Sequence, residues 1–167
     1  MKNSKNSLTF VEHPFKPVYD SKSRILILGT MPSPESIKYE FYYGHPRNRF
    51  WPVLAGIFNT PVKTKEEKTK LLLSNNIALW DVLKSCYIDK ANDSSIKDPV
   101  VNDFSVVLKK AKIECVLCNG KKAFELYKMY CKPETGIEAV SLPSTSPANR
   151  RVNIDDLIKD YRKAILG

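Results

Sequence analysis

The residues best suited to chemistry lie in one short segment, EFYYGHPRNRFW, at positions 40–51. Aromatic rings beside basic side chains in a loop are the combination that stacks on nucleobases. Three consecutive aromatic residues cannot share one face of a regular element, so at least one is expected to stack on a base, with core packing as the alternative. The last two aromatic residues open a helical pattern and are expected in the core. The five rings belong to Phe41, Tyr42, Tyr43, Phe50 and Trp51.

Two polar residues of this segment are candidates for a role in a reaction. The carboxamide of Asn48 both donates and accepts hydrogen bonds, which suits a nucleobase edge or a leaving group that gains charge. Asn48 also precedes the helical pattern, so it can cap that helix, and the two roles are compatible. His45 could act as a general acid, although a His-Pro step in a basic loop serves equally well as a phosphate contact or a spacer.

A turn follows the first predicted strand in the sequence GTMPSPES, residues 29–36. Gly29, Pro32 and Pro34 favour a tight turn, and backbone N–H groups in such a turn can face a ligand. The segment lacks the GxxxxGKS/T of a phosphate-binding loop and the GxGxxG of a dinucleotide-binding loop. An ordinary connection from strand to helix is the alternative interpretation.

The segment LPSTSPANRR, residues 142–151, follows the last predicted strand. Its prolines stiffen the loop, and its hydroxyl and guanidinium groups can bind phosphates, so the loop is suited to gripping a nucleic-acid backbone. A solvated loop that leads into a helix is the alternative. The residues expected to contact the nucleic acid are Ser144, Thr145, Ser146, Pro147, Asn149 and Arg150.

The elements that must position these segments follow the pattern of an α/β protein. Short apolar runs alternate with amphipathic stretches, which predicts a single domain over residues 1–167 with a central four-stranded parallel sheet flanked by helices. Residues 1–20 are expected to be partly mobile. Ligands bind at the carboxyl ends of such strands, so the loops that begin at Gly29, Asp81, Asn119 and Pro143 are the place for a site. The predicted strands are Arg24 to Leu28, Asn76 to Trp80, Ile113 to Cys118 and Gly136 to Leu142.

Capping residues mark several of the helices. Thr64 with Glu67 forms a capping box, Asn102 is expected to cap a helix, and another helix is expected to start near Asn153. A helix over Lys121 to Tyr130 follows the third strand.

Composition narrows the class of partner. The chain of 167 residues has 27 Lys and Arg against 18 Asp and Glu, a net charge of +9, which favours nucleic acid over small acidic molecules. No apolar stretch approaches the length of a membrane span, and no secretory signal is visible, so we expect a cytoplasmic protein, associated with the nucleoid, or nuclear in a eukaryote.

The four cysteines are expected to be buried thiols rather than ligands or redox groups. Only Cys115 and Cys118 form a CxxC, and in a strand these two side chains point to opposite faces. We therefore expect no metal and no cofactor.

Taken together, six motifs resemble the hypoxanthine-DNA glycosylase family, also called DNA-deoxyinosine glycosylase, within the uracil-DNA glycosylase superfamily. The resemblance runs in order from about Arg24 to Arg151 through GTMPSPES, FYYGHPRNRFW, ALWDVLKSC, NDSSI, CNGKKAFELY and LPSTSPANR. It implies a uracil-DNA glycosylase-like fold, a flipped base held beside the strand-one loop, and a strand-four loop that inserts into DNA. The residues it implies for the base pocket are Gly29, Thr30, Met31, Pro32, Phe41, Tyr42, Tyr43 and His45.

The chain departs from better-known members of that superfamily at two positions. They usually carry Asp or Asn where this chain has Met31, and some carry His where it has Leu142. In the resembled family an Asn of the aromatic segment takes over the catalytic role, which by motif position is Asn48.

The resemblance implies a monofunctional DNA glycosylase that hydrolyses the N-glycosidic bond of a flipped deaminated base, hypoxanthine above others, and leaves an abasic site. The expected partner is DNA containing deaminated bases, and the expected state is a monomer. The alternatives are a uracil-DNA glycosylase, a catalytically inactive module that binds DNA lesions, and an α/β protein acting on free nucleosides.

Overall fold

Four short strands form the parallel central sheet that the sequence predicts. In the computed structural model, which describes residues 7–167, their order across the sheet is β3-β2-β6-β7. The two middle strands are almost entirely buried, as expected for continuous apolar runs covered on both faces. The strands are β2 (Ile25–Gly29), β3 (Ile77–Asp81), β6 (Cys115–Asn119) and β7 (Ala139–Leu142).

A second, antiparallel sheet was not predicted. It consists of β1 (Thr9–Glu12), β4 (Leu83–Asp89) and β5 (Asn92–Val101), in the order β1-β4-β5. Strands β4 and β5 form a hairpin with several register shifts, and β5 is largely exposed and polar. Such a strand lacks the alternation of apolar and polar residues that sequence analysis detects.

The amino-terminal segment is tied to both sheets from Thr9 onward. Strand β1 pairs with β4, and Val18 forms an isolated bridge with Leu79. The expectation of partial mobility over residues 1–20 did not include these contacts. The first six positions of that segment lie outside the described residues.

Seven α-helices surround the sheets within residues 7–167. The capping box is confirmed, because Thr64 Oγ1 accepts from Glu67 N at 3.1 Å and Glu67 Oε1 accepts from Thr64 N at 2.9 Å. Asn153 caps the last helix as predicted. The helices are α1 (Pro34–Lys38), α2 (Phe50–Phe58), α3 (Lys65–Ser74), α4 (Ser105–Leu108), α5 (Lys121–Leu126), α6 (Lys132–Thr135) and α7 (Ile154–Leu166).

Two helix predictions need correction. Asn102 does not cap α4, since its amide donates to the backbone oxygens of Asp81 and Leu83 at 2.9 and 3.1 Å. The helix predicted to end at Tyr130 continues through a π-helical turn, Tyr127–Cys131, into α6. Asn102 therefore braces the end of β3 instead of starting a helix.

Three of the four cysteines, Cys86, Cys118 and Cys131, are buried as predicted, while Cys115 is half-buried. Within residues 7–167 no cluster of three His, Cys, Asp or Glu side chains is placed to hold a metal ion. No helix of that part of the chain is both long and apolar enough to cross a membrane.

Candidate active site

A single cleft gathers residues from the carboxyl ends of all four central strands or from the loops that follow them. Strand β2 leads into the turn GTMPS, β3 ends at Asp81, β6 ends at Asn119, and β7 leads into the loop 143–152. This is the edge of the sheet where the topology predicts a ligand. The lining consists of Gly29, Thr30, Met31, Pro32, Ser33, Ser36, Tyr42, Tyr43, Asn48, Asp81, Ala91, Asp93, Asn119, Ser144, Thr145 and Ser146.

Asn48 lines the cleft, and its side chain accepts a hydrogen bond from the first residue of helix α2, whose N-cap position is Arg49. Its Oδ1 accepts from the backbone N–H of Phe50 at 2.9 Å and from the Thr145 hydroxyl at 2.8 Å. A backbone N–H can only donate, so the atom that meets it must be the amide oxygen. The amide orientation is therefore fixed, and Nδ2 remains as the donor available to a ligand. The N-cap position expected for Asn48 falls instead on Arg49, which makes no side-chain capping bond, and the role of Asn48 in a reaction stays a prediction.

Asn119 holds Thr145 in place behind Asn48. Its Nδ2 donates to Thr145 Oγ1 at 2.9 Å, and its Oδ1 accepts from Thr145 N at 3.0 Å. Both residues are buried. The site prediction did not include Asn119, although its position at the end of a central strand was a signal that could have found it.

The three consecutive aromatic residues serve different purposes. Phe41 is buried and stacks on Trp51 with ring centroids 5.8 Å apart, outside the cleft lining. Tyr42 lines the cleft, but its hydroxyl is bound to Lys16 O at 2.8 Å. Tyr43 lines the cleft and stacks on Phe50 with centroids 4.1 Å apart. The core thus takes Phe41 and Tyr42, of which Tyr42 also borders the cleft, and Tyr43 is the half-buried ring of the three.

His45 also lies outside the lining expected for it. Its Nδ1 accepts from Arg47 N at 3.0 Å within the loop that precedes α2. Neither His45 nor Phe41 is among the residues that line the cleft, and their predicted role in holding a base stays a prediction.

The strand-four loop is braced from inside the protein by Arg49. Its guanidinium donates to the backbone oxygens of Ser146 at 3.1 Å, of Asn149 at 2.7 Å, and of Val152. Asn149 itself donates to Ser144 O at 2.9 Å. The loop is therefore internally bonded. Of the residues expected to contact DNA, Ser144, Thr145 and Ser146 line the cleft, and Pro147, Asn149 and Arg150 lie beyond it.

Two carboxylates that the site prediction missed face the cleft. Asp81 is buried and pairs with His13, with 2.7 Å between Oδ2 and Nε2. Asp93 comes from the β4–β5 hairpin and keeps one side open to solvent. Loss of solvent on its cleft side, aided by the charge of Asp81, raises the pKa of Asp93 to about 6 although Lys122 opposes the shift.

Comparisons with known proteins agree with this geometry. The sequence matches the family model of the Uracil DNA glycosylase superfamily over residues 16–166. The chain belongs to the uracil DNA glycosylase superfamily.

Relatives within the superfamily are similar over nearly their whole length. Hypoxanthine DNA glycosylase of Methanosarcina acetivorans is 40% identical over 144 residues, which cover 84% of this chain and 90% of the relative. Hypoxanthine DNA glycosylase of Methanosarcina barkeri is 40% identical over 140 residues, covering 82% and 87%. The solution NMR structure of a candidate uracil DNA glycosylase from Methanosarcina acetivorans superimposes with a TM-score of 0.78 at 35% identity, covering 95% of this chain and all of that one.

Two positions that carry polar side chains in better-known members of the uracil DNA glycosylase superfamily are apolar here, Met31 and Leu142. Met31 lines the cleft, and Leu142 is buried at the end of β7 outside the lining. Neither a thioether nor an alkyl group can orient water or stabilise an anion. The polar side chains that remain near the strand ends are carboxamides, hydroxyls and the two aspartates.

Proposed function

We propose that the protein is a monofunctional DNA glycosylase that hydrolyses the N-glycosidic bond of a flipped, deaminated base and leaves an abasic site. Hypoxanthine is the proposed substrate, because both curated relatives carry that activity in their names and match this chain over 82% or more of its length. A deaminated base that pairs weakly also costs less to extrude from the duplex, which favours it over normal bases.

The observation that carries this proposal is the orientation of Asn48. Two donors hold its Oδ1, so Nδ2 presents an N–H to the cleft. As the glycosidic bond breaks, negative charge grows on the departing base, and a fixed N–H donor stabilises that charge without needing to reorganise. Asn48 is accordingly proposed as the catalytic residue.

Other residues of the cleft are proposed to hold the base and the DNA. The turn from Gly29 to Pro32 supplies backbone groups beside the base, with Tyr42 and Tyr43 next to it. No lysine is among the residues that line the described cleft, which supports release of the base without a Schiff base to the sugar.

The proposed partner is DNA containing a deaminated base, bound by a monomer in the compartment that holds the chromosome. The net charge of +9 supports a polyanionic partner. The braced strand-four loop, with Arg150 exposed at its far end, supports insertion beside the duplex. A loop held by its own hydrogen bonds loses little entropy when it binds.

The base preference follows from the same residues. Without a carboxamide at Met31 or an imidazole at Leu142, the cleft has two fewer polar groups for uracil or its anion. We expect hypoxanthine to be released faster than uracil, with undamaged purines left in place.

The test uses end-labelled duplexes that carry hypoxanthine, uracil or xanthine at one position, followed by alkaline cleavage at abasic sites. Rapid strand cleavage with hypoxanthine supports the proposal. Efficient release of uracil alone would make the protein a uracil-DNA glycosylase. Tight binding to these duplexes with no release of any base would make it an inactive lesion-binding module.

A further inference from the structure

Asp93 is a carboxylate of the cleft that no step of the proposed reaction uses. It is the second residue of strand β5 and lines the cleft together with Ala91 from the hairpin turn. Its side chain is exposed, whereas the other carboxylate of the cleft, Asp81, is 4% exposed and paired with His13. Asp93 therefore belongs to the mouth of the cleft, and Asp81 belongs to its floor.

The mouth of the cleft is the level at which the sugar of a flipped nucleotide lies. Such a nucleotide enters base first, so the base fills the cleft while the C1′ carbon stays nearer the mouth. A group that delivers water to C1′ has to stand at the mouth, and solvent has to reach it. Asp93 meets both conditions, because it lines the cleft and keeps a solvent-exposed side.

Groups from four elements surround the Asp93 carboxylate. Lys122 in the first turn of α5 attracts it, and the Thr30 hydroxyl after β2 lies within hydrogen-bonding reach of it. Asp81 at the end of β3 repels it. The Cys86 thiol of β4 lies near it as well, and burial, with the charge of Asp93, raises the pKa of that thiol to about 11, so the thiol stays neutral. Within residues 7–167 no lysine or arginine forms an ion pair with Asp93.

The basicity of Asp93 suits a proton acceptor. Loss of solvent on its cleft side raises the pKa of Asp93 to about 6, with Lys122 opposing the shift and Asp81 adding to it. A general base works best when its pKa lies near the working pH, since it must be charged before the reaction and still bind a proton well. At neutral pH Asp93 is charged and more basic than an ordinary carboxylate.

The other groups of the cleft leave the task of holding water open. Met31 beside the proposed base position has a thioether, which cannot orient water. Asn48 accepts two hydrogen bonds at Oδ1, and its remaining Nδ2 can only donate. Asp81 is buried against His13 at the floor of the cleft. Asp93 is the remaining carboxylate, and it stands at the mouth.

We propose that Asp93 is a further catalytic residue, which holds the attacking water at the mouth of the cleft and accepts its proton, and that Lys122 is the positioning residue that keeps Asp93 charged. This assignment rests on the proposed function. The water oxygen forms a bond to C1′, its proton passes to an Asp93 oxygen, and the electron pair of the broken N-glycosidic bond leaves with the base. Asn48 Nδ2 stabilises that anion, which then takes a proton from solvent.

Asp93→Asn removes the proton acceptor and keeps the size of the side chain. We expect single-turnover release of hypoxanthine at neutral pH to fall at least about 100-fold, the lower end of the contribution of a general base. DNA affinity, measured by anisotropy, should not fall, because a negative charge has been removed from a site that binds phosphates. A residue with a structural role alone would lose rate and affinity together. The protein is kept in saturating excess over the duplex, so the rate reports the chemical step.

Asp98→Asn is the matched control. Asp98 is an exposed carboxylate of the same strand and is not among the residues that line the cleft. Its φ of 51° is left-handed, a conformation that asparagine tolerates as well as aspartate does, so the substitution leaves the strand undisturbed. We expect this variant to release hypoxanthine at the wild-type rate.

The pH dependence of the rate tests the proton acceptor separately. The wild-type rate should rise with pH as Asp93 loses its proton, and should then level off. Its midpoint is expected at pH 6 or above, because the phosphates of bound DNA disfavour the charged carboxylate as Asp81 does. Lys122→Met removes the charge that lowers the pKa of Asp93, so its midpoint should lie above that of the wild type. Lys121→Met, at the exposed neighbouring position, should leave the midpoint in place.

The outcomes separate the two proposals. If the wild type releases no base, the glycosylase and the role of Asp93 are both overturned. If the wild type releases hypoxanthine and Asp93→Asn is as fast as Asp98→Asn, the role of Asp93 alone is overturned. Parallel losses of rate and DNA affinity in Asp93→Asn, or a midpoint that Lys122→Met leaves unchanged, would also overturn it while the glycosylase stands.

Discussion

The hydroxyl of Thr145 donates to the side-chain oxygen of Asn48 over 2.8 Å, across 97 positions of the sequence. The same hydroxyl accepts from Asn119 Nδ2 at 2.9 Å. A hydroxyl has one hydrogen, so accepting from Asn119 leaves that hydrogen for Asn48. The chain of bonds from Asn119 through Thr145 fixes the direction in which Asn48 presents its N–H groups.

Thr145→Val should lower the single-turnover rate of base release. The substitution keeps the shape of the side chain but removes the donor to Asn48 and the acceptor for Asn119. Of these two bonds, the one to Asn48 bears on the rate, and its loss is worth about 1–2 kcal/mol, or roughly 5- to 30-fold. Thr145→Ser, which keeps the hydroxyl, should retain most of the rate, and a valine variant as fast as the serine variant would argue against this role.

Asn48→Ala should remove most base release and leave DNA affinity within a few-fold of the wild type. The donor acts mainly on charge that develops in the transition state, and one such donor is worth about 2–4 kcal/mol. Single-turnover rates and anisotropy with the same duplex measure the two quantities.

Asn153→Ala is the control for Asn48, because Asn153 caps helix α7 by accepting from Asp156 N at 2.9 Å. Both substitutions remove a side-chain acceptor from a backbone N–H in the first turn of a helix, and only Asn48→Ala removes a donor from the cleft. Equal losses of rate in the two variants would assign Asn48 to supporting the start of α2 alone.

Arg49→Lys should weaken DNA binding and lower thermal stability. A single ammonium cannot reach the oxygens of Ser146, Asn149 and Val152 together, so the strand-four loop loses part of its bracing. The free energy of unfolding is expected to fall by about 1–3 kcal/mol, because hydrogen bonds from a charged donor are lost. Arg24→Lys is a matched control, since Arg24 donates to the backbone oxygens of Ser21 and Ser23 outside the cleft. An undisturbed affinity in Arg49→Lys would show that the bracing is dispensable.

Asp93 should make DNA affinity depend on pH near 6. Its pKa is raised to about 6, so the carboxyl is neutral below that pH and charged above it. A charged carboxylate in the cleft repels the phosphates of DNA. DNA affinity is therefore higher below pH 6, where Asp93 is neutral, and falls as the pH rises through 6 and Asp93 becomes charged. Anisotropy with a duplex that carries a stable abasic analogue measures the profile from pH 5 to 8.

Asp93→Asn should bind DNA with a flatter pH profile than the wild type. The difference between the two profiles reports the contribution of Asp93. Superimposable profiles would exclude a contribution from this carboxyl.

Base release should persist in EDTA. Within residues 7–167 no cluster of His, Cys, Asp and Glu side chains is arranged as a set of metal ligands. Rates are compared after dialysis against chelator, with and without added zinc or magnesium. Activity lost on dialysis and restored by either ion would contradict the expectation.

Local patterns in the sequence were enough for the central sheet and for most of the helices. The apolar runs that became β2 and β3 are short and continuous, and the capping box of α3 and the cap of α7 involve residues within a few positions of each other. Because the strands were predicted to be parallel, the carboxyl edge of the sheet could be predicted as the place of the cleft. Asn48 was predicted for the same reason, since its residue type and its place before a helix are visible without any distant contact.

Tertiary structure alone decided which groups meet in the cleft. His13 reaches Asp81 across 68 positions, and Asn48 reaches Thr145 across 97. The antiparallel hairpin that brings Asp93 to the cleft has no strong alternation to reveal it. Packing also sent Phe41 into the core and left Tyr43 beside Asp81, although the two rings are near neighbours in the sequence. Residue type and spacing along the chain specify what a side chain can do, whereas the folding of distant segments onto one sheet edge specifies what it touches.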